Sequence, residues 1–322
     1  MYSYKDLVEK DKNNADRLIF IDFMLRFTGT IKRVDITELF NLSDPAASKM
    51  LAAYNEMRPN NMRYNHSLRV NAIEPSYEPL VDWDAETALG MLAHGFNKNK
   101  IANSDREILP YEKINSLPHQ ININHVEVIT RAIKCGHAIQ CKYYSKNSTN
   151  HSNRTIVPLN ILHDGEHWMF RAYDRSEEDD TRNKFKFFHF ARMLEVHEHS
   201  DTKELARRSN ETLDCDPDWK VEIPLSLVIH EDRKDVRERE AIRIDFGIEQ
   251  GSDELIVLKK PAYFWILKNK WHIDTRPLQG NVNTECEETS KLHKKYYRFR
   301  INNLDMVNKL LTQYNCFANL NS

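Results

Sequence analysis

Residues 140–192 run as short strand-like stretches, each apolar except for an arginine, tyrosine or serine. The stretches are Tyr143-Tyr144-Ser145, Arg154-Thr155-Ile156-Val157-Pro158-Leu159, Gly165-Glu166-His167-Trp168-Met169-Phe170-Arg171-Ala172 and residues 185–192. A small sheet built from them must place cationic side chains among apolar neighbours. That is costly unless something anionic meets them. The pattern therefore points to a small sheet with a pocket for a phosphate-rich ligand.

The candidate pocket residues follow from strand spacing. Ile139, Cys141, Tyr143 and Ser145 share one face by period two, so Tyr143 and Ser145 offer hydroxyls if that face lines the pocket. Arg154 starts the next strand, and Arg192 lies near the end of a later one. Trp168 and Arg171 fall on opposite faces of a regular strand; a bulge or a sharply curved small barrel brings both to a shared rim. Three arginines and two hydroxyls suit bidentate phosphate binding, and Trp168 suits stacking of a base. The competing reading pairs these arginines with Asp174, Glu177 and their neighbours. That is the expectation for Arg175 and Arg182, which lie beside the acidic run 177–180.

A chain of 322 residues divides into two or three domains. Its net charge of -2 argues against coating nucleic acid by charge alone, so any DNA binding rests on local shape and a few placed groups. The five cysteines are scattered and include no C-x-x-C pair, which reads as single thiols in a reducing cytoplasm. Residues 1–12 are polar and charged, unlike a signal peptide. No apolar run approaches the roughly 20 residues of a membrane helix. A soluble cytoplasmic protein without a membrane partner is expected.

The N-terminal region reads as three short helices and a hairpin. Residues 1–14 should fray. Leu18, Ile21 and Leu25, with Phe20, Phe23, Met24 and Phe27, follow helical spacing up to Thr28-Gly29. A second helix over 35–40 buries Ile36, Leu39 and Phe40. A tight turn over 41–44 leads to a third helix, which Ser43 or Asp44 caps and whose first turn tolerates Pro45. Ala47, Met50, Leu51 and Tyr54 form its inner face, and Arg58-Pro59 ends it. Strands over 62–64 and 67–70 flank an Asn65-His66 tip. This is the order of a winged helix-turn-helix. The third helix then presents Ala46, Ser48, Lys49, Ala52 and Asn55 to a major groove. Ser43 and Pro45 sit at its leading edge, and Arg63, Tyr64, Asn65 and His66 of the wing lie against the backbone or a minor groove. A monomer of this size reads few base pairs, so a homodimer on a palindromic or inverted-repeat operator in double-stranded DNA is the natural solution.

Beyond the hairpin, a helix is expected over 82–97, a polar linker over 97–120 and a helix over 125–135. Four or five strands follow over 139–198, then a charged stretch over 201–218. A third region has strands over 221–229, 241–246, 254–258 and 296–301, with 263–267 ambiguous between helix and strand.

The order of these segments resembles the WYL-domain transcriptional regulators. The resemblance rests on Tyr143-Tyr144-Ser145, Arg154 to Leu159, Gly165 to Ala172 and residues 187–193. Phe27-Thr28-Gly29, Arg33-Val34-Asp35-Ile36, Phe40, Ser43 and Pro45-Ala46-Ala47-Ser48 are similar to the branch controlling phage-defence islands, the BrxR and CapW type. It covers nearly the whole chain. The resemblance implies an α+β multidomain fold, with an N-terminal winged helix-turn-helix over 1–80 and a helical connector over 81–124. A central Sm/SH3-like β-barrel (the WYL domain) would span 125–200, and a C-terminal α/β extension used in dimerisation would span 219–322. It implies a repressor whose barrel senses a nucleotide or single-stranded nucleic acid through Tyr143, Ser145, Arg154, Trp168, Arg171 and Arg192. The eponymous Trp-Tyr-Leu is Trp168-Met169-Phe170 here, which removes one hydroxyl.

Two rival functions remain in view. Pro217-Asp218 with Asp232-Arg233-Lys234 fits a loose metal-dependent nuclease pattern, although residues 232–240 also form an ordinary charge run. A scaffold using the winged helix for protein contacts would leave Ser48 and Lys49 idle. His163, His167, His189, His197 and His199 lack the spacing of a zinc site, and no nucleotide-binding glycine motif or catalytic triad is visible. No metal, no cofactor and no catalytic residue are expected.

Overall fold

Ordered structure begins earlier than local composition suggests. The computed structural model describes residues 2, 4–97, 120–145, 153–179, 181–198, 203–276 and 296–320. The segment expected to fray contains α1 (Tyr4–Lys10), in which Leu7 is only 1% exposed. Tyr2 bridges to Val81, and the Tyr4 hydroxyl donates to Asp16 at 2.8 Å. Long-range contacts therefore hold a segment that its own composition would release. Leu7→Ala is expected to cost about 2–4 kcal/mol, read as a lower denaturant midpoint; a frayed terminus would show no change.

α2 (Ala15–Thr28) is buried on nearly every side, which is why its apolar residues outnumber what one amphipathic stripe needs. Gly29 stops it with φ 76°, a left-handed conformation that suits glycine, and donates its N–H to the Leu25 carbonyl. β1 (Thr30–Ile31), α3 (Arg33–Phe40), α4 (Asp44–Met57), β2 (Met62–Asn65) and β3 (Val70–Ile73) complete a winged helix. Its antiparallel sheet has the order β1-β3-β2. Two expectations change here. Leu39 is exposed, because α3 ends at Asn41 after one buried strip centred on Ile36. The wing strands also extend to Asn65 and resume only at Val70. The Asn65 carboxamide accepts the Leu68 N–H at 3.0 Å, and Arg69 has φ 55°, so 66–69 form the turn rather than a strand.

One charge lies inside this apolar core. Asp22 of α2 is fully buried and accepts the Tyr54 hydroxyl (2.7 Å), the Tyr77 hydroxyl (2.8 Å) and the Leu80 N–H (3.0 Å). Asn61 in turn donates to the Tyr54 oxygen at 2.8 Å. Burial pushes the Asp22 carboxyl up, and the donors oppose that shift.

α5 (Ala85–His94) is capped by Asp84, which accepts the Thr87 N–H. The expected linker lies largely outside the described residues. α6 (Ile123–Cys135) buries Val126, Ile129 and Ala132 and ends at Gly136. Five antiparallel strands follow: β4 (Ile139–Tyr143), β5 (Asn153–His163), β6 (Trp168–Asp174), β7 (Phe185–His189) and β8 (Met193–Glu198). Their order, β7-β6-β5-β4-β8, sets the last strand beside the first. The register shifts between Pro158 and Asn160 and between Lys142 and Tyr143, and a 3-10 turn, Phe190–Arg192, joins β7 to β8. No pairing among the described residues joins β7 to β8, so the sheet is seen open rather than as a closed barrel.

The chain divides into two compact units, Met1–Ser209 and Asn210–Ser322. The second holds β9 (Ile223–Ile229), α7 (Val236–Phe246), β10 (Glu254–Lys259), α8 (Phe264–Lys270), β11 (Ile273–Asp274), β12 (Phe299–Ile301) and α9 (Leu304–Gln313). The sheet order is β10-β9-β12-β11, with β11 and β12 parallel. Its core joins Leu225, Leu227, Phe264, Phe299 and Val307. The strand expected over 241–246 is helical. Asp235 caps α7 by accepting the Arg237 and Glu238 N–H groups, and Gly247 stops it. The strand expected from 296 begins at Phe299, and 264–270 resolves as helix. No helix among the described residues is long and apolar enough to cross a membrane.

Candidate nucleic-acid interface

α4 has the two faces a DNA reader needs. Ala47, Leu51 and Tyr54 are buried toward α2. Ser43, Asp44, Pro45, Lys49, Ala52 and Asn55 are exposed on the other side. Ala46 and Ser48, expected to point outward, are half-buried, because they flank Ala47 on the rim of the inner face. Ser43 is the N-cap residue but makes no side-chain capping bond. Its exposed hydroxyl and the first-turn N–H groups lie at the end where a helix attracts anions. Lys49 is the single cation of α4, with Asp44 and Glu56 as its acids.

The wing adds a second contact surface. Arg63, Tyr64 and His66 are exposed, and the Tyr64 and His66 rings meet edge to face at 4.9 Å. Arg63 also lies 3.2 Å from Glu74, a solvent-screened pair. Asn65 is half-buried and shapes the turn.

The sheet gathers some of the expected ligand residues and separates others. Tyr143 registers with Met193, the Tyr144 N–H donates to the Arg192 carbonyl at 3.0 Å, and the Tyr143 hydroxyl accepts the His189 N–H at 3.3 Å. Tyr143, Ser145 and Arg192 therefore share one end of β4. Arg154 registers with Cys141 further along β4, and its Nη1 donates to the fully buried Asp174 at 2.6 Å. Lys186 reaches the same carboxylate at 3.3 Å. The pairing weighed as the alternative for Arg154 is thus present, and it fixes the guanidinium near the start of the central strand β5. Arg175 donates to the Glu204 and Ala206 carbonyls, and Arg182 pairs with Asp179 at 3.2 Å.

Trp168 and Arg171 do not reach a shared rim. The bulge lies in β5, while β6 pairs regularly with β7 over residues 169–173. Trp168 joins Phe170 and Ala172 in the core and is 8% exposed, with its ring 4.7 Å from that of His163. Arg171 lies on the opposite face, 4.6 Å over the Phe187 ring and beside Asn160. Asn160 and Phe187 escaped notice in the sequence, since only a cross-strand register places them beside Arg171. A separate pocket of about 210 Å3 is lined by Gln140, Cys141, Lys142, Asn153, Arg154, Thr155, Glu195 and His197. Of the expected ligand residues it takes in Arg154 alone. Burial pushes the Cys141 thiol in its wall up to about 12.

The residues of the nuclease pattern are used otherwise. Asp218 is buried and accepts the Phe317 and Ala318 N–H groups at 2.7 and 3.0 Å. Asp232 turns back on His230, whose Nδ1 lies 3.2 Å from its N–H. No group of three metal-ligating side chains occurs among the described residues.

Comparison with known proteins matches two segments of this chain. Residues 13–93 match the BrxR transcriptional regulator winged helix-turn-helix domain, and residues 124–198 match the WYL domain. A DNA-binding transcriptional repressor CapW of Stenotrophomonas maltophilia is 28% identical over 287 residues, spanning 85% of this chain and 90% of its own. CapW of Escherichia coli is 27% identical over 219 residues, 66% and 69% of the two chains. CapW of Pseudomonas aeruginosa is 30% identical over 160 residues, 49% and 54%.

Proposed function

Because the chain belongs to the WYL-domain transcriptional regulators of the BrxR/CapW type, we propose that it is a homodimeric repressor of a phage-defence operon, released by a nucleotide or single-stranded nucleic acid. The observation that carries the DNA-binding half is α4. Its inner face is buried, and its outer face with Ser43, Lys49 and Asn55 stands open beside an exposed wing. Two copies would read an inverted repeat, each placing α4 in a major groove. The C-terminal extension would join the copies, and the protein would act in the cytoplasm.

For the effector we assign the WYL sheet, folded as an Sm/SH3-like barrel, with Ser145 and Arg192 at one end of β4; Tyr143, 7% exposed, and Arg171, 4% exposed over Phe187, reach it only if their packing opens. Arg154 joins them only by exchanging Asp174 for a phosphate, a swap of one anion for another. Trp168 stacks a base only if it leaves the core, so Phe187 is the better aromatic partner. The effector must bind the released geometry more tightly than the DNA-bound one.

A gel-shift titration against DNA upstream of its own gene, at fixed salt, tests this reading. Specific shifting that short single-stranded DNA relieves is the expected result. Arg192→Ala should lower that response about tenfold while leaving operator affinity unchanged. An unchanged response in Arg192→Ala would remove it from the site, and equal binding to random duplex would remove the repressor assignment.

A further inference from the structure

The winged helix and the WYL sheet are joined by buried charges. Arg26 of α2 is 4% exposed and donates from Nε to Glu127 of α6 at 2.6 Å. Arg131, one turn further along α6, sends Nη1 back to the Arg26 carbonyl at 2.8 Å. That carbonyl belongs to the last turn of α2, where carbonyls lack intrahelical partners and a cation is favoured. The remaining guanidinium nitrogens of Arg131 hold Glu198 of β8, Nε at 2.9 Å and Nη2 at 2.8 Å. His137 lies 3.1 Å from the other Glu198 oxygen. Burial would raise the Glu198 carboxyl, but His137 and Arg131 together hold it below the usual carboxylate range.

The same chain of contacts continues to the recognition helix. One turn before Arg26 in α2 is Asp22, whose carboxylate accepts the Tyr54 hydroxyl of α4. Polar contacts therefore link β8 to α6 and α6 to α2 at Arg26, and α2 to α4 at Asp22, with the α2 backbone joining the two sets. The effector end is equally direct. β8 starts at Met193, next to Arg192, and pairs with β4 from Tyr143 opposite Met193 to Ile139 opposite Glu198. The strand pair thus has one end in the candidate effector site and the other at Glu198.

We infer that this buried path couples the effector sheet to the recognition helix, with α2 as the rigid element between them. The inference deepens the regulator reading above and rests on it for the identity of the two ends. Apolar packing of equal volume would hold α2 against α6 at similar stability, so buried ion pairs are weak devices for stability alone. They differ from apolar contacts in having discrete arrangements. A displacement of β8 either carries Arg131 with it or strips Glu198 of its guanidinium and leaves it His137 alone, and an intermediate is costly. Movement of Arg131 then draws on the end of α2, and α2 holds Tyr54 through Asp22.

Amide hydrogen exchange on the full chain, without DNA or ligand, tests the coupling. Glu198→Gln keeps an acceptor while removing the charge, and Tyr54→Phe removes the α4 hydroxyl. Coupling is reciprocal, so each end should answer for the other. Glu198→Gln is expected to speed exchange in 47–57 of α4 about 5-fold or more, and Tyr54→Phe to do the same in 126–135 of α6. The strand 223–229 of the second unit should stay unchanged in both. Changes confined to each variant's immediate neighbours would overturn the proposal. So would a uniform rise that includes 223–229, which reports global destabilisation. Gel shifts on wild type and Glu198→Gln separate the two readings. If single-stranded DNA fails to relieve wild-type binding, the assigned effector is wrong while the exchange data still decide the coupling.

Discussion

Arg26→Met is expected to destabilise the protein by up to roughly 3–5 kcal/mol, because it leaves the half-buried Glu127 carboxylate with only the Arg131 guanidinium, 3.9 Å away. Arg26 is almost wholly buried and Glu127 is 20% exposed, so solvent screens the pair weakly. The guanidinium also lies 5.5 Å from the Phe27 ring, a smaller loss. Arg26→Met with Glu127→Leu should recover most of the deficit, since neither variant position then carries a buried charge. Urea unfolding of the two single variants and the double variant measures this as a large non-additive term at constant slope. A single-variant loss below about 1 kcal/mol would place the pair among screened surface bridges. The double variant also bears on the coupling. It should fold nearly as stably as wild type and, because Arg131 keeps its bond to the residue 26 carbonyl, its α4 exchange should still answer Glu198→Gln.

The legible parts of this chain are those where periodicity and punctuation agree. Helices α2, α4 and α6 end at Gly29, Arg58-Pro59 and Gly136, and the inner face of α4 follows from spacing alone. Where the two signals conflicted, punctuation was the better guide. Alternation of Ile242, Ile244 and Phe246 suggested a strand. Yet Ile244 is 72% exposed, and the Asp235 cap and Gly247 stop describe the helix that forms. β1 has two residues, too short for any period, and is held by β3, which lies some forty positions on. α1 depends on contacts with residues 80 and 81 that no local window contains.

The sites divide along the same line. The exposed side of α4 was readable in part, because polarity opposes a clear inner stripe, although Ala46 and Ser48 are half-buried. The effector residues were not, because alternation separates two faces of a strand without saying which is inside; Trp168 proved to be core. The partner of Arg154 is Asp174, twenty positions away across a hairpin. A carboxylate at Asp22, set among Leu18, Ile19, Phe20, Ile21 and Phe23, was the one available sign of the buried path. A charge inside an apolar stretch requires partners, and nothing local could name them.

Lys49→Glu is expected to weaken operator binding by about 1–3 kcal/mol, roughly 5- to 150-fold, while changing stability by less than about 0.5 kcal/mol. Lys49 is exposed at the middle of the open face and is the only cation of α4, so nothing on that helix substitutes for it. Reversal sets a second acid beside Glu56 on the face toward the DNA. Arg63→Ala should cost less, since Glu74 already takes part of its charge and the arginine is 80% exposed. Gel shifts at several salt concentrations on operator and random duplex separate the roles of Lys49. A phosphate contact lowers affinity for both DNAs alike and lowers the salt slope by about one. A base contact lowers affinity for the operator alone and relaxes its sequence preference. Affinity unchanged on both DNAs, with the fold intact by circular dichroism, would show that α4 does not enter the groove and would return the winged helix to protein contacts.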